Sequence, residues 1–387
     1  MEGRRAVRIE RVETFLVPPR WLFVRVETNE GLVGWGEPVV EGSAEVVRAA
    51  VDQLSEVLMG SDSSRIEDLW QVMTKGTFYR GGPVFASAVA GIDQALWDLA
   101  GKRLGVPVHV LLGGPVRERV RVYGWVGGDD PAEVEDAIRA RIDSGLTAVK
   151  MNASGAMGRL ARPAELEGVL KRVAAAREVL GDQGDVAVDF HGRVTVPNAR
   201  RLLHELAPLR PLFVEEPVVP ENSHLLAGLA ESSPVPIATG ERLYSRQEFL
   251  PVLQSGVSVV QPDLSHAGGI SEVRRIASLA EVFDAQLAPH CPLGPIALAA
   301  SLQVGFAAPN HVIQEQSIGI HYNEDGEVLD YVVDTSVFEF SSGSIERLRG
   351  PGLGVDVDED VVREADKRGH TWRTPVWRHA DGSLAEW

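Results

Sequence analysis

An α/β protein built on an eight-stranded parallel barrel, of the (β/α)8 or TIM-like type and preceded by a small α+β domain, is the architecture this 387-residue sequence predicts. Three observations carry that expectation. From Val120 onward, eight short apolar runs alternate with helical segments: RVYGWVG, TAVKMN, DVAVDFH, PLFVEEP, PIATGE, VSVVQPD, AQLAPH and HVIQE. Each run has little polar alternation, as strands buried on both faces do. The runs also end in polar residues that a buried strand would not choose: in order, Lys150 and Asn152, Asp189 and His191, Glu215, Glu241, Asp263, His290 and Glu315. From Asp189 to Glu315 these endings recur every 22 to 27 residues, the length of one strand, one helix and two loops. Alternation on that scale implies a parallel sheet, and eight units imply closure into a barrel.

The elements before the barrel read in order. RAVRIERVETFLV and LFVRVETNEGLVGWGEP have the β-branched, alternating character of strands, with a hairpin turn at Asn29-Glu30-Gly31. Helical patterns follow in SAEVVRAAVDQLSEVLMG, SRIEDLWQVMTK and ASAVAGIDQALWDLAGKRLG, with Ser43 and Ser64 suited to N-caps. Residues 1–118 are therefore expected to form an α+β capping domain, and 119–318 the barrel that carries the active site. Within the barrel, PAEVEDAIRARIDSG and GISEVRRIASLAEVF read as helices between strands. The segment 319–387, with a strand-like EVLDYVVDT and a Trp- and Pro-rich end, is expected to return to the cap.

Hydrophobic residues make up 44% and charged residues 24%, ordinary for a soluble globular protein. Lys and Arg total 38 against 55 Asp and Glu, a net charge of −17. Such a surface repels phosphate backbones, so nucleic acid is not an expected partner, and an anionic substrate needs a local positive site. No apolar run reaches the roughly 18 residues of a membrane span, and MEGRRAVRIERVETF lacks the apolar stretch of a secretory signal. Cys291 is the one cysteine, which excludes an internal disulfide and suits a reducing cytoplasm.

The polar endings fall at one height, the C-terminal ends of successive strands, where barrel enzymes carry their sites. Asp189, Glu215 and Glu241 would repel one another there, and a hard divalent cation relieves that repulsion; all-oxygen ligands favour Mg²⁺. Glu216 stands as an alternative to Glu215 at this point. Asp189 and His191, two apart, face one side of their strand. His290 ends the seventh run beside Asp263, and a neighbouring Asp fixes a histidine tautomer and raises its basicity.

At these residues the sequence resembles the enolase superfamily in its mandelate racemase branch. RGGPVFASAVAGIDQALWDLAGK, VDFHGRV, FVEEPV, GERLYSR, QPDLSHAGGI, LAPHCPLGPIALAA and QEQSIGIHYN carry the resemblance, which spans essentially the whole chain. It implies Mg²⁺ on Asp189, Glu215 and Glu241, His290 as base supported by Asp263, His191 as general acid, and Glu315 as a hydrogen-bond partner of the substrate carboxylate. Racemases of this branch continue Lys150 into a Lys-x-Lys motif whose second lysine is a base, but here Asn152 stands there. That departure argues against racemisation and for dehydration of a sugar acid, galactonate first among the aldonates, with gluconate, mannonate or an aldarate as alternatives and a racemase or epimerase behind them. A histidine at the position of Trp125 in mannonate dehydratases counts against that substrate. Arg20, Trp21, Tyr79, Arg80 and Trp125, with Lys150 and Asn152, are the expected substrate contacts. A homo-oligomer is the implied assembly.

Overall fold

The computed structural model describes residues 7–127, 131–320, 323 and 325–386; His321 and Tyr322 of the QEQSIGIHYN motif lie outside them. Strands β1 (Ile9–Val17), β2 (Trp21–Thr28) and β3 (Val33–Gly36) form an antiparallel sheet. Helices α1 (Ala44–Leu58), α2 (Ile66–Lys75) and α3 (Pro83–Leu104) pack on it. Ser43 precedes α1 without a side-chain capping bond. Ser64 does not cap α2, which starts after Arg65. The Asp62 carboxylate takes both the N–H and the hydroxyl of Ser64 (3.0 and 2.7 Å), and that turn delays the helix.

Helix α3 is the seam between cap and barrel. Its cap-facing side meets β3 so closely that a Cβ on Gly36 would lie 1.9 Å from the Gly91 carbonyl oxygen. We expect Gly36→Ala to destabilise the protein by about 1–3 kcal/mol through this overpacking, read as a lower denaturation midpoint. An unchanged midpoint would show that β3 can lift off α3 without cost. On its other side α3 gives polar groups to the barrel segment 264–271: Gln94 donates to the Leu264 carbonyl, Ser87 to that of Ser265, and Asp93 accepts from Ser271. Burial pushes the Asp93 carboxyl up to about 7 against those hydrogen bonds.

A short helix, α4 (Val108–Leu111), leads into the barrel. Its strands are β4 (Arg119–Val126), β5 (Ala148–Asn152), β6 (Asp185–Asp189), β7 (Val214–Glu215), β8 (Ile237–Thr239), β9 (Val259–Val260), β10 (Gln286–Leu287) and β11 (Gln314–Glu315). They pair in parallel from β4 to β10 in chain order, β11 pairs β4, and a parallel bridge from Leu287 to His311 closes the ring. Seven α-helices follow the first seven strands: α5 (Pro131–Asp143), α6 (Pro163–Leu180), α7 (Val196–Leu206), α8 (Leu226–Ala230), α9 (Arg246–Gln254), α10 (Gly269–Val282) and α11 (Pro295–Ala307). The eighth strand differs from the expected unit. Among the described residues no α-helix follows β11 until α12 (Glu359–Arg368).

The intervening chain takes another course. EVLDYVVDT forms a 3₁₀ turn at Val328–Tyr331 where a strand is expected, because the Glu327 and Asp330 side chains cap it reciprocally. Strand β13 (Ser344–Glu346) then adds antiparallel to β4, and β12 (Phe340–Ser341) adds antiparallel to β13, so part of the returning segment belongs to the barrel sheet. Helix α12 goes back to the cap. Arg363 reaches Glu13 at 3.2 Å, and the Leu16 N–H donates to Asp366 at 2.6 Å. A final hairpin, β14 (Trp377–Arg378) with β15 (Leu384–Ala385), ends the described chain. No helix among the described residues is long and apolar enough to cross a membrane.

Candidate active site

The barrel lumen is closed by one apolar side chain from each strand or its end: Tyr123, Ala148, Ala187, Phe213, Ala238, Val259, Ala288 and Ile313. The two large rings, Tyr123 and Phe213, meet edge to face with centroids 6.4 Å apart. Side chains alternate with period two along a strand. The residues two positions further on therefore point the same way, one layer higher: Trp125, Lys150, Asp189, Glu215, Gln261, His290 and Glu315. In β8 that position falls on Gly240, at φ 137° and against the Phe249 ring, where a Cβ would lie 2.5 Å from a ring carbon. The carboxylate of this strand comes one residue later, from Glu241.

Lys150 is fully buried between Glu215, at 2.7 and 2.9 Å, and Glu315, at 3.0 Å. Burial disfavours its charge, but the two carboxylates outweigh burial and hold the ammonium well above its ordinary range. Glu215 is pushed up by its own burial and by Asp189, Glu315 and Glu241, with Lys150 opposing. Glu315 also accepts from the Trp125 indole and from the Cys291 N–H at 3.0 Å. Lys150, Glu215 and Glu315 thus form a charged floor beneath the cavity, held away from solvent.

Above the floor lies a cavity of about 570 Å³. Trp125, Asn152, Asp189, His191, Glu241 and His290 line it, together with Arg193, Arg242, Tyr244 and His266. The cap contributes Glu41, and the end of the chain contributes Trp372, Thr374 and Trp377. His290 donates from Nδ1 to Asp263 at 2.8 Å, which leaves Nε2 3.4 Å from Glu241. Burial lowers the His290 imidazole, yet Glu315, Glu241 and Asp263 prevail and raise it to about 10. Burial would likewise raise Glu241, but His290, His191 and Arg242 hold it far below the usual carboxylate range. His191, at φ 52°, faces Glu241 with Nε2 at 3.9 Å.

Neighbouring contacts separate the two glutamates that the sequence leaves open. Glu216 accepts from Thr239, the Gly240 N–H (3.2 Å) and Arg242 (3.0 Å), so its carboxylate is saturated outside the lumen. Glu215 is the lumen-facing one, beside Asp189 in the parallel register. A cation fits this donor set. Asp189 Oδ1 accepts the His191 N–H, while Oδ2 is buried without a hydrogen-bond partner. Asp189, His191 and Glu241 each bring a ligand atom within 4.8 Å of the others. Glu215 stands outside that group because its carboxylate rests on Lys150.

Five expected substrate contacts lie away from the cavity lining: Arg20, Trp21, Tyr79, Arg80 and Lys150. Trp21 is fully buried in the cap sheet, stacked on Phe23 at 6.4 Å and edge-on to Tyr331 at 5.9 Å. Arg20 is also buried, its guanidinium on Glu41 (2.6 Å), Asn323 (2.7 Å) and the Pro292 carbonyl (2.7 Å). It braces the cavity wall that Glu41 and Pro292 form. Tyr79 and Arg80 belong to an exposed loop that lines a separate hollow of about 320 Å³ between α2 and α9. Lys150 and Glu315 lie in the floor, while Asn152 and Trp125 reach the cavity. Periodicity gives no sign of Arg193, Arg242, His266, Glu41, Trp372 or Trp377. Only the positions of Arg193, Arg242 and His266, inside VDFHGRV, GERLYSR and QPDLSHAGGI, hint at them.

Family models match most of the chain. Residues 15–113 match the mandelate racemase / muconate lactonizing enzyme N-terminal domain, and residues 133–361 the enolase C-terminal domain-like model. D-galactonate dehydratase of Variovorax paradoxus (strain S110) is 53% identical over 98% of this chain and all of its own length. The protein of that name from Ralstonia pickettii (strain 12J) is 54% identical with the same coverage. Among solved structures, an enolase from Agrobacterium radiobacter, crystallised with sodium and L-malate, superposes with a TM-score of 0.89 at 34% identity, covering 98% of this chain and 100% of that one.

Proposed function

Because the chain belongs to the mandelate racemase / muconate lactonizing enzyme family of enolase-like proteins, we propose that it is a Mg²⁺-dependent hydro-lyase that converts D-galactonate to 2-dehydro-3-deoxy-D-galactonate. The observation that supports it most is the pair of histidines that meet Glu241, His191 at one carboxylate oxygen and His290, backed by Asp263, at the other. A cytoplasmic homo-oligomer belongs to the same reading.

Asp189, Glu215 and Glu241 would hold the cation, with Asp189 Oδ2 the donor already waiting. When bound, it supplies electrostatic stabilisation of the charge that gathers on the substrate carboxylate as the neighbouring C–H bond breaks. His290 acts from its neutral form, which it reaches once the Glu241 charge is engaged in holding the cation, and takes the C2 proton on Nε2, since Asp263 fixes its Nδ1–H. The C–H electron pair then forms the C2–C3 double bond as the C3 hydroxyl departs. Hydroxide is a poor leaving group, so His191 gives it a proton and water leaves. The enol tautomerises to the 2-keto-3-deoxy acid. Asn152 lines the cavity where a second base would stand and cannot accept a proton, so removal from the other face, which epimerisation needs, has no acceptor.

Two measurements test the reading. Treatment with EDTA is expected to remove dehydration of D-galactonate, and Mg²⁺ to restore it. His191→Asn is expected to slow dehydration by about 10²–10⁴-fold while the C2 proton of recovered substrate still exchanges with D₂O, followed by NMR. Failure of the wild-type protein to dehydrate any aldonate would overturn the assignment. Loss of exchange in His191→Asn would instead move the base role onto His191.

A further inference from the structure

The end of the chain lies over the site, far in sequence from the residues it covers. We propose that this C-terminal strap, residues 370–378, positions the general acid: Trp377 seats Arg193, and Arg193 orients His191. The proposal rests on the dehydratase reading, in which His191 is that acid.

Four observations carry it. The strap is fastened to the cap at Arg373 and Thr374. Arg373 pairs with Glu45 at 2.8 Å, and the Thr374 hydroxyl donates to the Glu41 carbonyl at 3.5 Å. Gly42, at φ 77°, lets the strap seat there, since a Cβ would lie 2.5 Å from the Thr374 hydroxyl oxygen. Beyond this anchor, the Arg193 guanidinium carbon sits 4.5 Å from the centre of the Trp377 ring. Arg193 is buried. It donates Nη1 to the Ser154 carbonyl at 2.7 Å and presents Nη2 to His191 Nδ1 at 3.4 Å.

The geometry decides what this does. With Nη1 tied to the Ser154 carbonyl, the guanidinium stands against the Nδ1 side of the His191 ring and turns Nε2 toward Glu241 and the cavity. An acid aimed at a departing hydroxyl needs its proton on that atom. Trp377 makes no part of the hydrophobic core: Val376 and Leu384 beside it are 71% and 65% exposed. Its ring therefore contacts the cavity and Arg193, and its contribution should appear in the second half of the reaction. Trp377 is a positioning residue in this scheme, two contacts removed from the reacting atoms.

The test compares Trp377→Ala, Trp377→Phe and Arg193→Lys with wild type, using D-galactonate and Mg²⁺ in D₂O. In Trp377→Ala and Arg193→Lys the ratio of dehydration to C2 exchange is expected to fall by about tenfold or more, because a small misplacement of a catalytic group is costly. Trp377→Phe, which keeps an aromatic face, is expected to recover most of the ratio. A second arm needs no turnover. Carbethoxylation of His191 by diethyl pyrocarbonate, mapped by mass spectrometry, should be faster in Trp377→Ala than in wild type. Equal loss of both reactions with no rescue by Phe would overturn the proposal and leave a structural role. An unchanged ratio would overturn it too, as would an unchanged modification rate. Wild-type protein inactive on galactonate would count against the dehydratase reading, and the modification arm would then decide the strap by itself.

Discussion

His290→Asn is expected to lower turnover of D-galactonate by about 10²–10⁴-fold and to abolish exchange of its C2 proton with solvent. Asparagine fits the same volume, and its amide can still donate to Asp263, so the hydrogen bond that anchors the side chain at 2.8 Å survives. What disappears is the Nε2 lone pair, the acceptor for the substrate proton. The residual rate reports everything the rest of the site contributes. A variant that still exchanges the proton would show that another group accepts it, and His266 is the first to examine. Its Nδ1 lies 3.9 Å from the same Asp263 oxygen, it lines the cavity, and its Nε2 is buried without a hydrogen-bond partner.

The second large effect concerns folding. Lys150→Met is expected to destabilise the protein by about 3–5 kcal/mol, measured by urea denaturation with EDTA present. Methionine keeps most of the apolar stem but removes the one cation between Glu215 and Glu315, all three side chains having no exposure. Two buried carboxylates are then left facing each other, and neither can reach water. Because burial pushes Glu215 to bind a proton, the deficit should shrink as the pH falls toward the carboxyl range. A loss below about 1 kcal/mol would mean that one of the pair already folds protonated, so that Lys150 balances a single charge. Adding Mg²⁺ should return part of the loss if Glu215 turns toward the cation.

The fold was legible because barrel strands announce themselves twice, as apolar runs and as polar endings. The two signals have one origin. The layer from Tyr123 to Ile313 and the layer two residues above it are the same period-two geometry, seen once in a plug and once in a site. The offset at Glu241 escaped spacing because Gly240 turns the backbone there. The ambiguity between Glu215 and Glu216 could not be resolved by position. It turned on where Arg242 points, and Arg242 lies a full unit later in the chain. Arg20 shows the limit most plainly. A cation near an anionic substrate site invites a binding role, yet three local acceptors claim it. Trp372 and Trp377 carry no pattern at all. They join the cavity only because the tail crosses the cap at Gly42, a contact that no local rule encodes.

The plug at the base of the barrel has a kinetic consequence. With Tyr123 and Phe213 meeting across the axis, the described residues leave no passage through the base, so the cavity opens on the cap side. Reactant must enter, and both water and keto acid must leave, between cap and tail. Traffic in the two directions excludes itself. Accumulated product therefore occupies the doorway and the bed at once, and its inhibition must compete with substrate, however fast the chemistry runs.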